Sequence, residues 1–208
     1  MTNSRRILHL QSGNVTIGGI AGYIASIVNS AELRDYEFLV SAGYDDSCRV
    51  TKSSKYGNAK VVEVHTAYRI FDLSKSLRKL RNIIRKENVS LVHSHALRAG
   101  FLCALLNFFF GIHFIHTNHG LRFLQKSGKV SALIFVALEW FVIFRSHYVV
   151  CVRDCDAALL ERKFPRLSFK IKIIRTRIDR MTVPGAKSAG GEFKHFNVVG
   201  IGSILDVK

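Results

Sequence analysis

The sequence is short of acid. Fifteen Asp and Glu face 31 Lys and Arg in 208 residues, leaving a formal net charge of +16. Such an excess says little about fold and much about partners: phosphates, nucleic acid or an anionic membrane surface. Proline is nearly absent, with two residues, while 48% of the chain is hydrophobic and only 22% charged, which excludes a disordered or low-complexity protein. The four cysteines, Cys48, Cys103, Cys151 and Cys155, form no CxxC pair and no repeated metal-ligand spacing. They are expected to be reduced, mostly buried thiols. No apolar leader or cleavage site follows the polar residues 1–6, which run directly into a strand-like segment.

Long uninterrupted apolar runs are also missing. Residues 99–121 contain no Asp, Glu, Lys or Arg, a length that could cross a bilayer. Asn107, Gly111, His113, His116, Asn118, His119 and Gly120 interrupt that stretch, however. It divides better into a buried helix, 97–110, and a buried strand, 112–117. A second apolar stretch, 130–144, is shorter and carries Glu139. Polar groups at these positions are costly in hydrocarbon, so neither stretch is read as a span.

What is present is a repeated strand–helix alternation. Strands are expected at 6–10, 36–41, 61–65, 89–93, 112–117, 148–152 and 170–175. Helices are expected at 20–29, 71–87, 97–110, 130–146 and 154–164. The helix over 71–87 repeats Leu73, Leu77, Leu80 and Ile84 on one face, with Lys75, Arg78, Lys79, Arg81, Arg85 and Lys86 outside. This pattern implies an α/β fold: a Rossmann-like, mainly parallel sheet with helices on both faces. Pro184, Gly185, Ser188, Gly190 and Gly191 break the rhythm. The expected organisation is therefore one domain over 1–176, a linker over 177–195, and the start of a second domain over 196–208.

In such sheets ligands collect at the carboxyl ends of the strands. Three clusters fall there. Gly18 and Gly19 follow the first strand and open a helix, where backbone N–H groups could meet a phosphate, although a plain tight turn accounts for them as well. His93, Ser94, His95 and Arg98 end the fourth strand. Ser94 or His95 could cap the next helix, and Arg98 in its first turn could face a phosphate. His116, Asn118, His119 and Gly120 end the fifth strand, and His119 could donate a hydrogen bond or handle a proton near neutral pH. His113, His116 and His119 lie three apart, which on a strand alternates faces and argues against a shared metal ion.

Taken in order, these pieces resemble the amino-terminal half of a retaining GT-B glycosyltransferase of family 4. The resemblance rests on residues 7–10 with Gly18 and Gly19, on His93, Ser94, His95, Arg98 and Gly100, and on His116, Asn118, His119 and Gly120. Leu138 and Glu139 before residues 148–152, residues 172–179, and residues 199–202 with Lys208 complete it. Thr176 and Arg177 depart from the Asn-Gly usual in the family. The resemblance implies a nucleotide-sugar donor as substrate, no metal and no other cofactor, and a glycan or lipid-linked acceptor, as in surface polysaccharide biosynthesis. It implies His119 as the catalytic residue beside the reacting sugar. Gly18, Gly19, His95, Arg98 and Asn118 would be substrate-binding. The carboxyl-terminal domain, with its paired-glutamate motif and most of the nucleotide surface, would be missing, and the 208 residues alone would be inactive.

A different class of function also fits the charge: a non-catalytic basic module for a membrane surface or nucleic acid. Thirteen Lys or Arg against five acids between Leu121 and Arg180 fit an anionic membrane surface and equally a plain solvated basic face. That suggests a cytoplasmic protein, peripheral on the inner face of the cell membrane. Nucleic acid is not expected, because no zinc finger, RNP-like motif or recognition helix accompanies the charge. Nicotinamide binding is disfavoured by the glycine spacing over 18–22.

Overall fold

In the computed structural model, the described residues are 5–11, 19–42, 56–64, 70–121 and 128–175. They build a single sheet of seven parallel strands flanked by five α-helices. The strands are β1 (Arg6–Gln11), β2 (Glu37–Ala42), β3 (Lys60–Glu63), β4 (Leu91–His95), β5 (Phe114–Asn118), β6 (Tyr148–Cys151) and β7 (Ile171–Ile173). The helices are α1 (Gly19–Val28), α2 (Ile70–Lys86), α3 (Ala96–Phe110), α4 (Lys129–Arg145) and α5 (Asp154–Lys163). The strand order is β3-β2-β1-β4-β5-β6-β7. The chain winds outward from β1 in one direction and from β4 in the other, so the order reverses between β1 and β4. That reversal opens a crevice at the carboxyl ends of these two strands.

Alternation along β1 and β4 sorts the side chains onto two faces. Leu8, Leu10, Val92 and Phe114 join Leu80 of α2 and Leu102, Cys103 and Leu106 of α3 in the larger core. On the other face, Val40 packs with Ile24 and Ala25 of α1 and with Tyr56. A smaller core gathers Val149, Cys151, Ala157, Leu160 and Ile171 around α5. Covered on both sides, the central strands are buried along most of their length. The Cys103 and Cys151 thiols are buried, and burial pushes Cys151 up to about 12, whereas Cys155 is exposed.

The expected elements are present, with two informative differences. First, the fourth strand is 91–95 rather than 89–93. Asn88 takes a left-handed backbone (φ 50°), the Asn88 N–H bonds Arg85 O and the Val89 N–H bonds Ile84 O. This is a Schellman closure of α2, so Val89 caps the helix instead of starting the strand. Second, neither Ser94 nor His95 caps α3. His95 stands at the N-cap position without a side-chain cap bond. The Ser94 hydroxyl donates to Ile115 O at 3.1 Å and meets His116 Nδ1 at 3.0 Å. Both side chains are turned into the sheet.

Contacts divide the chain into Met1–Thr176 and Arg177–Lys208. The expected linker at 177–195, the expected domain start at 196–208, and the Thr176–Arg177 departure lie outside the described residues, as does Gly18.

Candidate functional site

Parallel register sets His9 of β1 beside His93 of β4, and Gln11 beside His95. His9, His93 and His95 therefore project from the same face of the sheet, at the strand reversal. The β5 strand brings Thr117 beside His95, and His119 follows two residues later. The result is a row of imidazoles leading from the sheet interior to its carboxyl rim. His9 Nδ1 lies 3.0 Å from His95 Nε2, and His95 Nδ1 lies 3.3 Å from His119 Nε2. His93 Nε2 meets Thr117 Oγ1 at 2.6 Å, and its ring centroid is 4.2 Å from that of His95. Tyr23 of α1 closes the row edge-on, 5.9 Å from His95 and 5.2 Å from His119 between ring centroids.

Burial decides the charge state of this row. His9 and His95 are fully enclosed and His93 nearly so, whereas His119 is part-exposed. Desolvation penalises the imidazolium form. It brings His9 down to about 3 and His119 to about 4, and it drives His93 and His95 well below the ordinary histidine range, with neighbouring imidazoles adding to the effect. At neutral pH all four rings are uncharged, each with one donor and one acceptor nitrogen. In a chain of such rings the tautomers are linked. If His9 donates to His95, then His95 donates to His119, and the remaining His119 nitrogen, Nδ1, carries a proton. If the chain runs the other way, His119 Nδ1 is a bare acceptor. A ring at the rim can thus present either a donor or a base, depending on two buried rings behind it.

The turn that aims His119 is fixed by Asn118. Its Oδ1 accepts the Gly120 N–H at 2.8 Å, while its Nδ2 donates to Glu139 Oε2 of α4 at 3.4 Å. Asn118 is buried, and Gly120 has φ 137°, a backbone that side-chain-bearing residues rarely adopt. Both ends of the Asn118 amide are thereby engaged inside the protein, so its contribution is to hold the turn. Gly19 begins α1, is exposed, and has open space where a Cβ would project. It sits one turn before Tyr23, on the same rim as His119. Arg98 is exposed in the first turn of α3, directly after His95.

Gly19 and Arg98, in the first turns of α1 and α3, and His119, just past β5, thus lie at the carboxyl ends of the strands, with His95 buried behind His119. Helix N-termini and a guanidinium there favour anionic groups, and His119 adds a neutral donor or acceptor. His113, His116 and His119 find three different partners: His147, Ser94 and His95. His116 serves packing on the opposite face, where a Cβ on Gly100 would come within 2.8 Å of its ring.

Three residues of the site carry no role in the sequence reading: His9 and Thr117, which lie within its matching segments, and Tyr23. The signal for His9 was in the sequence, since a His in β1 and an alternating His pair in β4 share a face once the strands pair in parallel. Among the described residues, His9, His93 and His95 also offer ligating nitrogens within 4.8 Å of one another, the spacing a soft divalent metal would need. None of their hydrogen-bond partners is a carboxylate; His93 bonds Thr117, His95 bonds His9 and His119, and His9 Nε2 is buried without a hydrogen-bond partner.

The fold is that of the parallel Rossmann-like domains of GT-B glycosyltransferases. HepE of Anabaena, in a complex with UDP, superposes with a TM-score of 0.60 at 14% identity, over 84% of this chain and 44% of that one. Sucrose-phosphate synthase of Thermosynechococcus elongatus gives 0.63 at 13% identity, over 85% and 49%. A curated relative, the Escherichia coli UDP-Gal:alpha-D-GlcNAc-diphosphoundecaprenol alpha-1,3-galactosyltransferase, is 26% identical over 106 residues, 50% of this chain and 27% of that protein. The sequence profile described as Glycosyltransferase Family 4 matches residues 17–180, and the chain belongs to that family. It spans under half the length of each of these three relatives.

Proposed function

We propose that this chain forms the acceptor-side half of an enzyme that transfers a sugar from a nucleotide-sugar donor to a glycan or lipid-linked acceptor in surface polysaccharide assembly. The observation that carries the reading is the His9–His95–His119 row, which ends at the carboxyl rim of the sheet, where α1 and α3 also begin. Membership of family 4 and the UDP complex of HepE support the donor class. The Escherichia coli relative, named for a diphosphoundecaprenol-linked acceptor, supports the acceptor class.

In this reading Arg98 and the α1 N-terminus around Gly18 and Gly19 neutralise charge as the nucleoside diphosphate departs. His119 hydrogen-bonds the reacting sugar, held in one tautomer by His95. No metal or cofactor takes part. The protein works in the cytoplasm at the inner face of the membrane.

Because the chain spans under half of its relatives, the donor wall of the cleft comes from a second βα domain, and the 208 residues alone transfer no sugar. The test compares the chain with a version extended by such a domain, supplied with nucleotide sugars and lipid-linked acceptors. Transfer should require the extension and fall at least about a hundredfold on His119→Ala. Transfer by the 208 residues alone at rates near those of intact relatives, or a His119→Ala enzyme of full activity, would refute the proposal.

A further inference from the structure

Three of the buried histidines form a set of their own behind the rim. His9 and His93 are register partners on β1 and β4, and His95 follows His93 by two residues, so all three rings stand on one face of the sheet. They are 1%, 6% and 0% exposed. One nitrogen from each lies within 4.8 Å of the other two. At a tetrahedral zinc ion, with bonds of about 2.0–2.1 Å, ligating nitrogens stand roughly 3.3 Å apart. His9 Nδ1 and His95 Nε2 are already 3.0 Å apart, and rotation of the rings about their side-chain torsions closes the wider separations.

The hydrogen bonds leave suitable atoms over. A metal-bound imidazole gives one nitrogen to the ion and donates the N–H of the other to a neighbour, which holds the ring in place. His93 Nε2 is engaged with Thr117 Oγ1 at 2.6 Å, and His95 Nδ1 with His119 Nε2 at 3.3 Å. That leaves His93 Nδ1 and His95 Nε2 for an ion. His9 meets His95 through Nδ1, and its Nε2 is buried without a hydrogen-bond partner, so this ring also has a nitrogen to spare. No carboxylate joins the three rings, as a hard ion such as Mg2+ or Ca2+ would need. The buried Cys103 thiol belongs to the core on the other face, with Leu8 and Leu10. An all-imidazole set suits zinc, nickel or copper.

We infer that His9, His93 and His95 together bind one transition-metal ion of the zinc class behind the rim, and that the ion sets the polarity of the imidazole row. With the ion on His95 Nε2, the His95 proton sits on Nδ1 and is donated to His119 Nε2. The His119 proton is then on Nδ1, the nitrogen that ends the row. Without the ion the row can run either way. Bound metal thus makes His119 a hydrogen-bond donor and removes it as a base. The ion takes no part in the sugar transfer itself. Its binding and its effect on His119 are both read without any transfer, so either reading can fail alone.

The 208-residue protein is stripped with a chelator, then loaded with Zn2+ both in the native state and during refolding, because the ligands are buried. Competition with a chromophoric chelator should give one bound ion per chain, and the ion should raise the thermal unfolding midpoint. In histidine nitrogen spectra, one equivalent should shift His9, His93 and His95 and place the His119 proton on Nδ1. His93→Gln should weaken binding at least about a hundredfold. Circular dichroism shows whether that variant folds, and the spectra of the unsubstituted chain decide the matter if it does not. The exposed His113 and His147, with ring nitrogens 3.1 Å apart, are the competing chelate. The double variant His113→Ala/His147→Ala should bind zinc as tightly as the unaltered chain. Four results would overturn the inference: no binding after either loading, zinc shifts confined to His113 and His147, undiminished binding by folded His93→Gln, or a bound state in which His119 Nδ1 is bare.

Discussion

Lowering the pH should unfold this domain well above the range where most proteins yield to acid. His9 and His116 are held at about 3 and His119 at about 4, against 6.5 for a free histidine, and His93 and His95 are depressed in the same direction. The native state keeps these rings neutral while the unfolded chain protonates them. Stability is therefore complete above pH 6.5 and declines as pH falls from 6.5 toward 3. At pH 5 each ring lies 1.5 units below its unfolded value, a loss of about 2 kcal/mol per ring. His9, His116 and His119 together lose about 6 kcal/mol, with His93 and His95 adding to it, against a typical total of about 5–15 kcal/mol. Circular dichroism should show cooperative unfolding between about pH 6 and 4, with uptake of at least about three protons. Retention of full native signal and unchanged urea stability at pH 4.5 would refute the claim that these imidazoles are buried and neutral.

Three substitutions probe the scaffold behind the row. Gly100→Ala should destabilise by about 1–3 kcal/mol in urea titration, because a Cβ there meets His116 at 2.8 Å and Val142 Cγ1 at 2.9 Å; a neutral result would mean that His116 is not wedged against α3. Ala96, the first residue of α3, has φ 62°, so Ala96→Gly should gain up to about 1 kcal/mol in the same titration, and a loss would contradict the strained backbone. Asn118→Ala should cost about 1–3 kcal/mol by leaving the Gly120 N–H and Glu139 without this partner, measured by thermal melting.

Much of this fold was legible because its strands are apolar runs and its helices are periodic. The positions of all seven strands and five helices followed from that switching, to within a few residues. Chain pairing is what periodicity cannot supply. The order β3-β2-β1-β4 places β1 and β4 side by side, and only then do His9 and His93 become neighbours. The same limit applies to Ser94 and His95. As sequence they read as caps, whereas strand pairing turns both inward to His116 and His119. Sequence gives Asn118 as a substrate contact but does not show that its amide also binds the Gly120 N–H and Glu139.

His119 should be the rim end of a neutral imidazole chain facing the sugar site. Histidine ring nitrogen spectra of the labelled chain read this directly during titration with nucleotide sugars and acceptor lipid. At neutral pH His9, His95 and His119 should each show one protonated and one bare nitrogen. Ligand should move the His119 signals and leave the distant His113–His147 pair unchanged. Removing the end of the chain with His9→Phe should alter the His119 tautomer balance. A charged His119 at pH 7, or ligand shifts at His113 and His147 with none at His119, would contradict it.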